Sequence, residues 1–186
     1  AYHYGLTDQN DLAFKYTALA GNKSMGIFAL DEANQYFEKA VAIYERDPTA
    51  ATKEAFAAFM ADYALCLNIS LHVTTLIDLA DKFRPTFNEL GDTRHHALFL
   101  HHYTQCLLWN GRYSDAHAVR KELTDVAGRL GDPLSLAYAR LSEISVSNFY
   151  AAISSDAYGA LSQKIEAALE TFDDPYLRNF FLATVG

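Results

Sequence analysis

Four of the seven histidines lie within eight residues, as the pairs His95-His96 and His101-His102. Imidazole ligates zinc and titrates near neutral pH, so the cluster could serve a metal site or a pH-sensitive interface. On a helix, His95 and His102 share a face but lie about two turns, roughly 10 Å, apart. That is too far for one ion with Zn–N bonds of roughly 2.0–2.1 Å, so a zinc site would need ligands from neighbouring helices. We favour the third alternative, a polar and partly exposed helix face.

The chain lacks the sequence motifs of common catalytic folds. It contains no Gly-x4-Gly-Lys-Ser/Thr phosphate loop, no Gly-x-Ser-x-Gly elbow, no kinase signature and no pair of metal-binding aspartates in a strand context. Capping and the helix dipole account for the acidic residues at predicted helix starts, which are Asp31, Glu32, Asp115, Asp173 and Asp174. We therefore assign no catalytic residue, no metal and no cofactor, and we expect this segment not to be an enzyme.

Composition favours one helical core and excludes several classes of partner. The 186 residues are 51% hydrophobic, with 4 Pro, 9 Gly and a formal net charge of −8. Such an acidic chain without a basic stripe is unsuited to direct nucleic-acid binding, and no apolar run approaches the roughly 20 residues of a membrane span. Cys66 and Cys106 lie in apolar helical stretches, which predicts reduced core residues of a cytoplasmic protein. The chain opens inside a helical pattern without an initiator Met, so we expect it to be part of a longer protein.

Four stop-and-restart signals divide the chain at a regular interval. They are Arg46-Asp47-Pro48, Leu90-Gly91-Asp92-Thr93, Leu130-Gly131-Asp132-Pro133 and Phe172-Asp173-Asp174-Pro175, and their caps Asp47, Asp92, Asp132 and Asp174 lie 45, 40 and 42 positions apart. Gly can end one helix, Asp can cap the next, and Pro suits its first position. Self-similarity at this period predicts helical hairpins that bury their apolar faces by stacking.

The sequence therefore predicts an all-α fold, a solenoid of about four helical hairpins. We expect one helical-repeat domain over residues 1–186. Its repeats fall at about 11–46, 48–91, 92–131 and 132–173, with a truncated fifth from 174. The pattern also predicts a helix end over residues 1–7, caps at Asp11 and Asp31, and a kink or break at Pro85.

Two stretches resemble the tetratricopeptide repeat, an α-α superhelix. In the first stretch, Gly21 is the second of two adjacent small residues in the repeat's first helix, and Ala33, Phe37 and Ala40 follow at the intervals of its second helix. In the second stretch, Gly111, Tyr113 and Ala116 match the turn between the two helices. The resemblance implies close helix contacts at the small residues, with Phe37 or Tyr113 filling the gap beside them. Arg120 departs from the pattern, since an aromatic is expected there, and the period is longer than the usual roughly 34 residues.

A longer layout points to a particular kind of parent protein. Ala1-Tyr2-His3-Tyr4, "LAFKYTALAG" from Leu12, "DEANQYFEKAVAIYE" from Asp31 and the Leu-Gly-Asp punctuation together resemble the helical-repeat region of bacterial multidomain signal-transduction ATPases. In that family the repeats follow an AAA-type ATPase module and an output domain. The resemblance implies a non-catalytic interaction and regulatory segment linked to an adenylate/guanylate cyclase, itself a lyase. The alternative is an effector-sensing repeat domain of an ATPase-type helix-turn-helix transcriptional regulator.

The resemblance also implies where a partner would bind. If the fifth helix keeps the register of the tetratricopeptide repeat, its groove residues are Leu98, His101, Gln105 and Leu108, and its core residues are Leu100, Tyr103 and Leu107. The alternative is that the groove set is merely solvated or packed. Trp109, beside the turn, could anchor a partner, but we favour packing at the hairpin corner. We expect a protein or peptide partner, or another domain of the same chain, and a homodimer through exposed terminal hairpins is a further expectation.

Overall fold

The computed structural model describes residues 9–150 and 153–185 of the chain. In this part of the chain it consists of nine α-helices and one 3-10 turn, Pro48–Ala50, with no strand. The helices are α1 Asn10–Gly26, α2 Leu30–Arg46, α3 Lys53–Ile69, α4 Val73–Leu90, α5 Arg94–Trp109, α6 Tyr113–Leu130, α7 Pro133–Tyr150, α8 Ser155–Thr171 and α9 Pro175–Val185. The helix end predicted over residues 1–7 lies outside the described residues.

The helices stack as a superhelix of hairpins. Successive helices pair as α1/α2, α3/α4, α5/α6 and α7/α8. The odd-numbered helices contact one another in succession from α1 to α9, and each even-numbered helix also packs on the next odd one. We call the odd-numbered set the inner helices and the even-numbered set the outer helices. The all-α superhelix predicted from the repeating punctuation is confirmed.

The turns inside the first three hairpins share one geometry. In each turn three backbone N–H groups bond back to the end of the inner helix, as Ala29 N does to Ser24 O at 2.9 Å. The residue before that last donor takes a positive φ, at Phe28 (59°), Leu71 (59°) and Gly111 (78°). Left-handed backbone suits glycine and strains a residue with a Cβ. Only the third turn uses glycine, and Phe28 and Leu71 are 80% and 66% exposed.

Side-chain caps start several helices, although not at Asp11, Asp31 or Asp92, three of the predicted caps. Asp92 precedes the actual cap of α5, Thr93, and its carboxylate instead accepts a hydrogen bond from Arg129 of α6. Thr52, Thr93, Asp132, Ser154 and Asp174 each accept a hydrogen bond from a backbone N–H in the first turn of the following helix. The predicted caps Asp11 and Asp31 are wrong, because α1 begins after Gln9 and α2 after Ala29, and neither start has a side-chain cap. Both carboxylates instead lie in the first turn, where the helix dipole favours negative charge.

Of the two alternatives predicted at Pro85, a kink or a break, the break is wrong. Helix α4 continues from Val73 to Leu90 with Pro85 inside it. Phe83 and Phe87 flank the proline in sequence and are 7% and 2% exposed, anchored by aromatic partners on neighbouring helices. This packing outweighs the lost backbone hydrogen bond, and Pro85 itself faces solvent.

Most of the core is continuous through the stack. A main apolar cluster extends over α1 to α6 and reaches α7, and a smaller one joins α7, α8 and α9. In the first hairpin, a Cβ on Gly21 would lie 2.5 Å from Cε1 of Phe37, so α1 and α2 approach too closely there for a larger residue. Tyr113 fills no comparable interior gap, since it is 41% exposed and stacks on Phe149. Cys66 and Cys106 are buried free thiols, as predicted.

Candidate binding site on the inner face

A cluster of buried polar side chains joins four inner helices. Asn68 of α3, His101 and His102 of α5, Ser142 of α7 and Tyr176 of α9 form this inner polar cluster. The Asn68 amide nitrogen donates to the Tyr176 hydroxyl at 2.8 Å and lies 3.2 Å from His102 Nδ1. His101 Nδ1 lies 2.8 Å from Ser142 Oγ, and its Nε2 lies 3.2 Å from the Tyr176 hydroxyl. Tyr176 thus holds the start of α9 against α3 and α5.

One assignment of the ring protons fits all of these hydrogen-bond partners. Asn68 Nδ2 can only donate, so His102 Nδ1 must accept and the proton of a neutral ring sits on Nε2. The Tyr176 hydroxyl already accepts from Asn68, and its own proton is free for His101 Nε2. His101 then donates from Nδ1 toward Ser142. The four contacts among these residues can thus form with both imidazoles neutral.

Burial also keeps these rings neutral. His101 is 0% and His102 1% exposed. Because a buried imidazolium loses its hydration, burial lowers the pKa of His101 to about 3, and burial together with His101 lowers the pKa of His102 well below its ordinary value. The pKa of Tyr176 is raised, again mainly by burial. At neutral pH the cluster is a network of uncharged donors and acceptors.

An apolar cavity of about 590 Å³ lies beside this cluster. We call it the inner cavity. Its walls come from the ends of α1 and α3 on one side and from α9 on the other, and its apolar side chains include Met25, Phe28, Leu65, Ile69, Tyr176 and Phe180. Tyr176 belongs to both features, because its ring lines the cavity and its hydroxyl lies in the polar cluster. The cavity falls within the roughly 300–1,000 Å³ typical of ligand pockets.

A few polar groups border the cavity. Asn22, Asp174 and Asn179 contribute to its wall. The Asn22 amide nitrogen donates to Asp62 at 2.8 Å, whereas its buried Oδ1 accepts no hydrogen bond from the described residues. Burial raises the pKa of Asp62, partly offset by that bond from Asn22. An apolar pocket with few polar groups at its edge can bind a mainly apolar group and orient it by one or two hydrogen bonds.

The predicted groove residues of α5 are placed differently from one another. His101 belongs to the inner polar cluster, and Leu98 packs half-buried against the α7–α9 core. Gln105 and Leu108 are buried, at 2% and 5% exposure. The three expected core residues Leu100, Tyr103 and Leu107 lie in the main core. The structure thus brings one of the four, His101, into contact with the residues around the cavity.

Two expectations about this helix are wrong. The histidine cluster is not a partly exposed face, because His96, His101 and His102 are buried and only His95 is exposed. Four helices, α3, α4, α6 and α7, pack on α5, so its polar residues are enclosed together with its apolar ones. Trp109 does not pack into the hairpin corner; it is 62% exposed at the end of α5.

Sequence reasoning missed most of the site. Asn68 carried a usable signal, since an asparagine in the apolar stretch of α3 must find hydrogen-bond partners once it is buried. Tyr176, Phe180, Leu65 and Met25 carried none, because their proximity depends on the curvature that brings α9 back over α3 and α5. In the described residues no three His, Cys, Asp or Glu side chains are grouped to hold a metal ion.

No helix in the described part of the chain combines the length and apolarity needed to cross a membrane. Comparisons of the chain with protein-family models, curated proteins and solved structures gave no significant match.

Proposed function

We propose that this chain is a non-catalytic interaction and regulatory repeat segment that binds a protein or peptide partner through its inner cavity. The observation that carries the proposal is the cavity itself, an apolar space between helices distant in sequence, with α1 and α3 on one wall and α9 on the other. A guest there would contact both ends of the stack. Binding would therefore favour one curvature of the superhelix, which is a physical route to regulation of an attached domain.

The chemistry of the wall indicates the kind of guest. Met25, Leu65 and Phe180 offer adaptable and aromatic surface, and thioether side chains fit guests of varied shape. Polar groups are confined to a few positions, including Asn22 and Asn179. An apolar side chain of a peptide, with backbone amides beside these polar groups, matches this arrangement.

A peptide-display selection against the folded chain tests the proposal. We expect enriched peptides that share a large apolar residue and that lose binding at least tenfold with Leu65→Arg, which places a charge in the cavity wall. Leu182→Arg is the matched control, because Leu182 is 59% exposed and does not line the cavity. Failure to enrich any sequence, or equal binding to the chain and to Leu65→Arg, would refute the proposal.

A small-molecule effector is the second candidate, and the size of the cavity favours it. About 590 Å³ accommodates a metabolite-sized ligand without a peptide backbone. Thermal-shift screening with apolar metabolites would show a rise in Tm that Leu65→Arg abolishes. If apolar metabolites raise the Tm while no displayed peptide binds, the result supports the effector sensor and not the peptide-binding segment.

The wider setting is also part of the proposal. We propose a cytoplasmic bacterial signalling protein in which the segment is linked to an adenylate/guanylate cyclase, with an ATPase-type transcriptional regulator as the alternative parent. The support is the repeat layout described above. Self-association through exposed apolar side chains of the terminal hairpins, such as Leu19, is a related proposal, and light scattering over a concentration series would reveal it.

A further inference from the structure

The outer face carries a series of comparable grooves, each between two successive outer helices with an inner helix as its floor. Ion pairs cross the first two. Lys82 of α4 reaches Glu45 of α2 at 2.6 Å, and Arg84 of α4 pairs with Glu122 of α6. No ion pair between described residues joins α6 to α8. This third groove, floored by α7, stays open with a volume of about 450 Å³. We call it the outer groove.

Two cations in the outer groove have no anionic partner among the described residues. Arg140 lies half-buried on the floor and Lys164 on the α8 wall, and neither side chain forms a hydrogen bond or ion pair with the described residues. The acid lining the groove, Glu143, is already paired with Arg120 of α6. The groove therefore presents uncompensated positive charge, although the whole chain has a net charge of −8.

Apolar side chains surround these cations. Leu136 and Ala139 belong to the floor, and Ile153 and Leu161 to the side of α8. A half-buried guanidinium is partly dehydrated, so an anion brought to it gains more than one at a fully hydrated surface. Guanidinium also matches a carboxylate through two parallel N–H···O bonds.

We propose that the outer groove binds a small ligand that carries one carboxylate on an apolar body, with the carboxylate at Arg140 and Lys164 and the body along Leu136 and Leu161. The charge complementarity selects an anion, and the apolar walls select an aliphatic or aromatic body. The site is separate from the inner cavity, so it stands or falls independently of the function proposed above.

Methyl NMR with two probes of equal chain length, one anionic and one neutral, tests this site. A chain with labelled Leu and Met methyl groups is titrated with sodium octanoate and, separately, with the neutral analogue octan-1-ol. We expect saturable shifts at Leu136 and Leu161 with octanoate, at least tenfold weaker binding of octanol, and no octanoate shift at Met25 of the inner cavity. The loss of one charge-assisted contact predicts about tenfold weaker octanoate binding for Arg140→Gln.

Two further variants complete the test. Lys164→Gln, at an exposed position, should weaken octanoate about threefold even if Arg140→Gln disturbs folding. Lys121→Gln is the control, because Lys121 is an exposed cation of α6 that does not line the groove. Equal affinity for octanoate and octanol, or octanoate binding unchanged by both groove variants, would overturn the proposal. A methyl shift at Leu136 that changes with protein concentration in the absence of octanoate would also overturn the proposal, since a second copy of the chain would then cover the groove.

Discussion

Acidification from pH 7 to pH 5 should destabilise the fold through its buried histidines. An ordinary histidine has a pKa near 6.5, and burial lowers the pKa of His101 to about 3 and that of His102 well below 6.5. Between these values the unfolded chain binds more protons than the folded chain. The free energy of unfolding therefore falls as the pH falls through 6.5.

The size of the effect follows from the same linkage. One pKa unit corresponds to 1.36 kcal/mol, so each histidine that stays neutral in the fold costs about 2 kcal/mol of stability between pH 7 and pH 5. His101 alone therefore predicts a loss of about 2 kcal/mol, and His102 adds to it in the same direction. His96, whose pKa is also lowered by burial, adds in the same direction, and Asp62, whose pKa is raised by burial, opposes it.

Urea unfolding followed by circular dichroism at several pH values between 5 and 7 measures this loss. Asp92 and Asp132 contribute little in this window, because their pKa values are lowered below the ordinary 3.8 of aspartate. His101→Gln should be less stable at pH 7 but should lose about 2 kcal/mol less on acidification than the unmodified chain. His95→Gln is the control, because His95 is exposed, and it should keep the full pH dependence. Stability that is flat or rises from pH 7 to pH 5 would refute the reasoning.

Three other substitutions have expected outcomes in urea unfolding. Tyr176→Phe removes the hydroxyl shared by Asn68 and His101 and should lower the free energy of unfolding by about 1–3 kcal/mol. The substitution should also increase the hydrogen-exchange rate more in α9 than in α3. Gly21→Ala should cost about 1–3 kcal/mol, since the new Cβ would lie 2.5 Å from the Phe37 ring. Gly111→Ala should cost about 1–2 kcal/mol, because φ is 78° there although the space around it is open.

Matched variants separate these causes. Gly128→Ala lies in a helix with open space and an ordinary backbone, so it should be neutral or stabilising. If Gly21→Ala behaves like Gly128→Ala, the close approach of α1 and α2 is not as described. If Tyr176→Phe leaves the stability of the chain and the exchange in α9 unchanged, the inner polar cluster does not hold α9.

The sequence predicted the architecture because the signals that end one helix and start the next are local. At the second signal, Gly91 N donates back to Phe87 O at the end of α4, and the Thr93 hydroxyl accepts from His96 N at the start of α5. Both bonds join residues close in sequence, so this signal can be recognised without knowledge of the fold. Pro85 shows the limit of such rules, because buried aromatics on either side carry α4 through a residue that would break an isolated helix.

The site was less predictable because it depends on curvature. Helical periodicity places His101 and His102 on adjacent faces of α5, but it does not indicate how many of those faces neighbouring hairpins cover. Tyr176 and Asn68 are 108 positions apart, and their contact depends on how the three hairpins from α3 to α8 stack. The sequence also did not predict the positive φ of Phe28 and Leu71, since left-handed backbone is expected at glycine.

The central claim is that the inner cavity admits an apolar guest, and methionine NMR tests it most directly. The chain has two methionines, with Met25 in the cavity wall and Met60 fully buried in the core. Titration of 13C-methyl-methionine-labelled chain with N-acetyl-tryptophan methylamide should shift the Met25 signal saturably and leave Met60 unmoved, and Leu65→Arg should abolish the shift. An unmoved Met25 signal up to millimolar ligand, or a Met25 shift that persists in Leu65→Arg, would contradict the account.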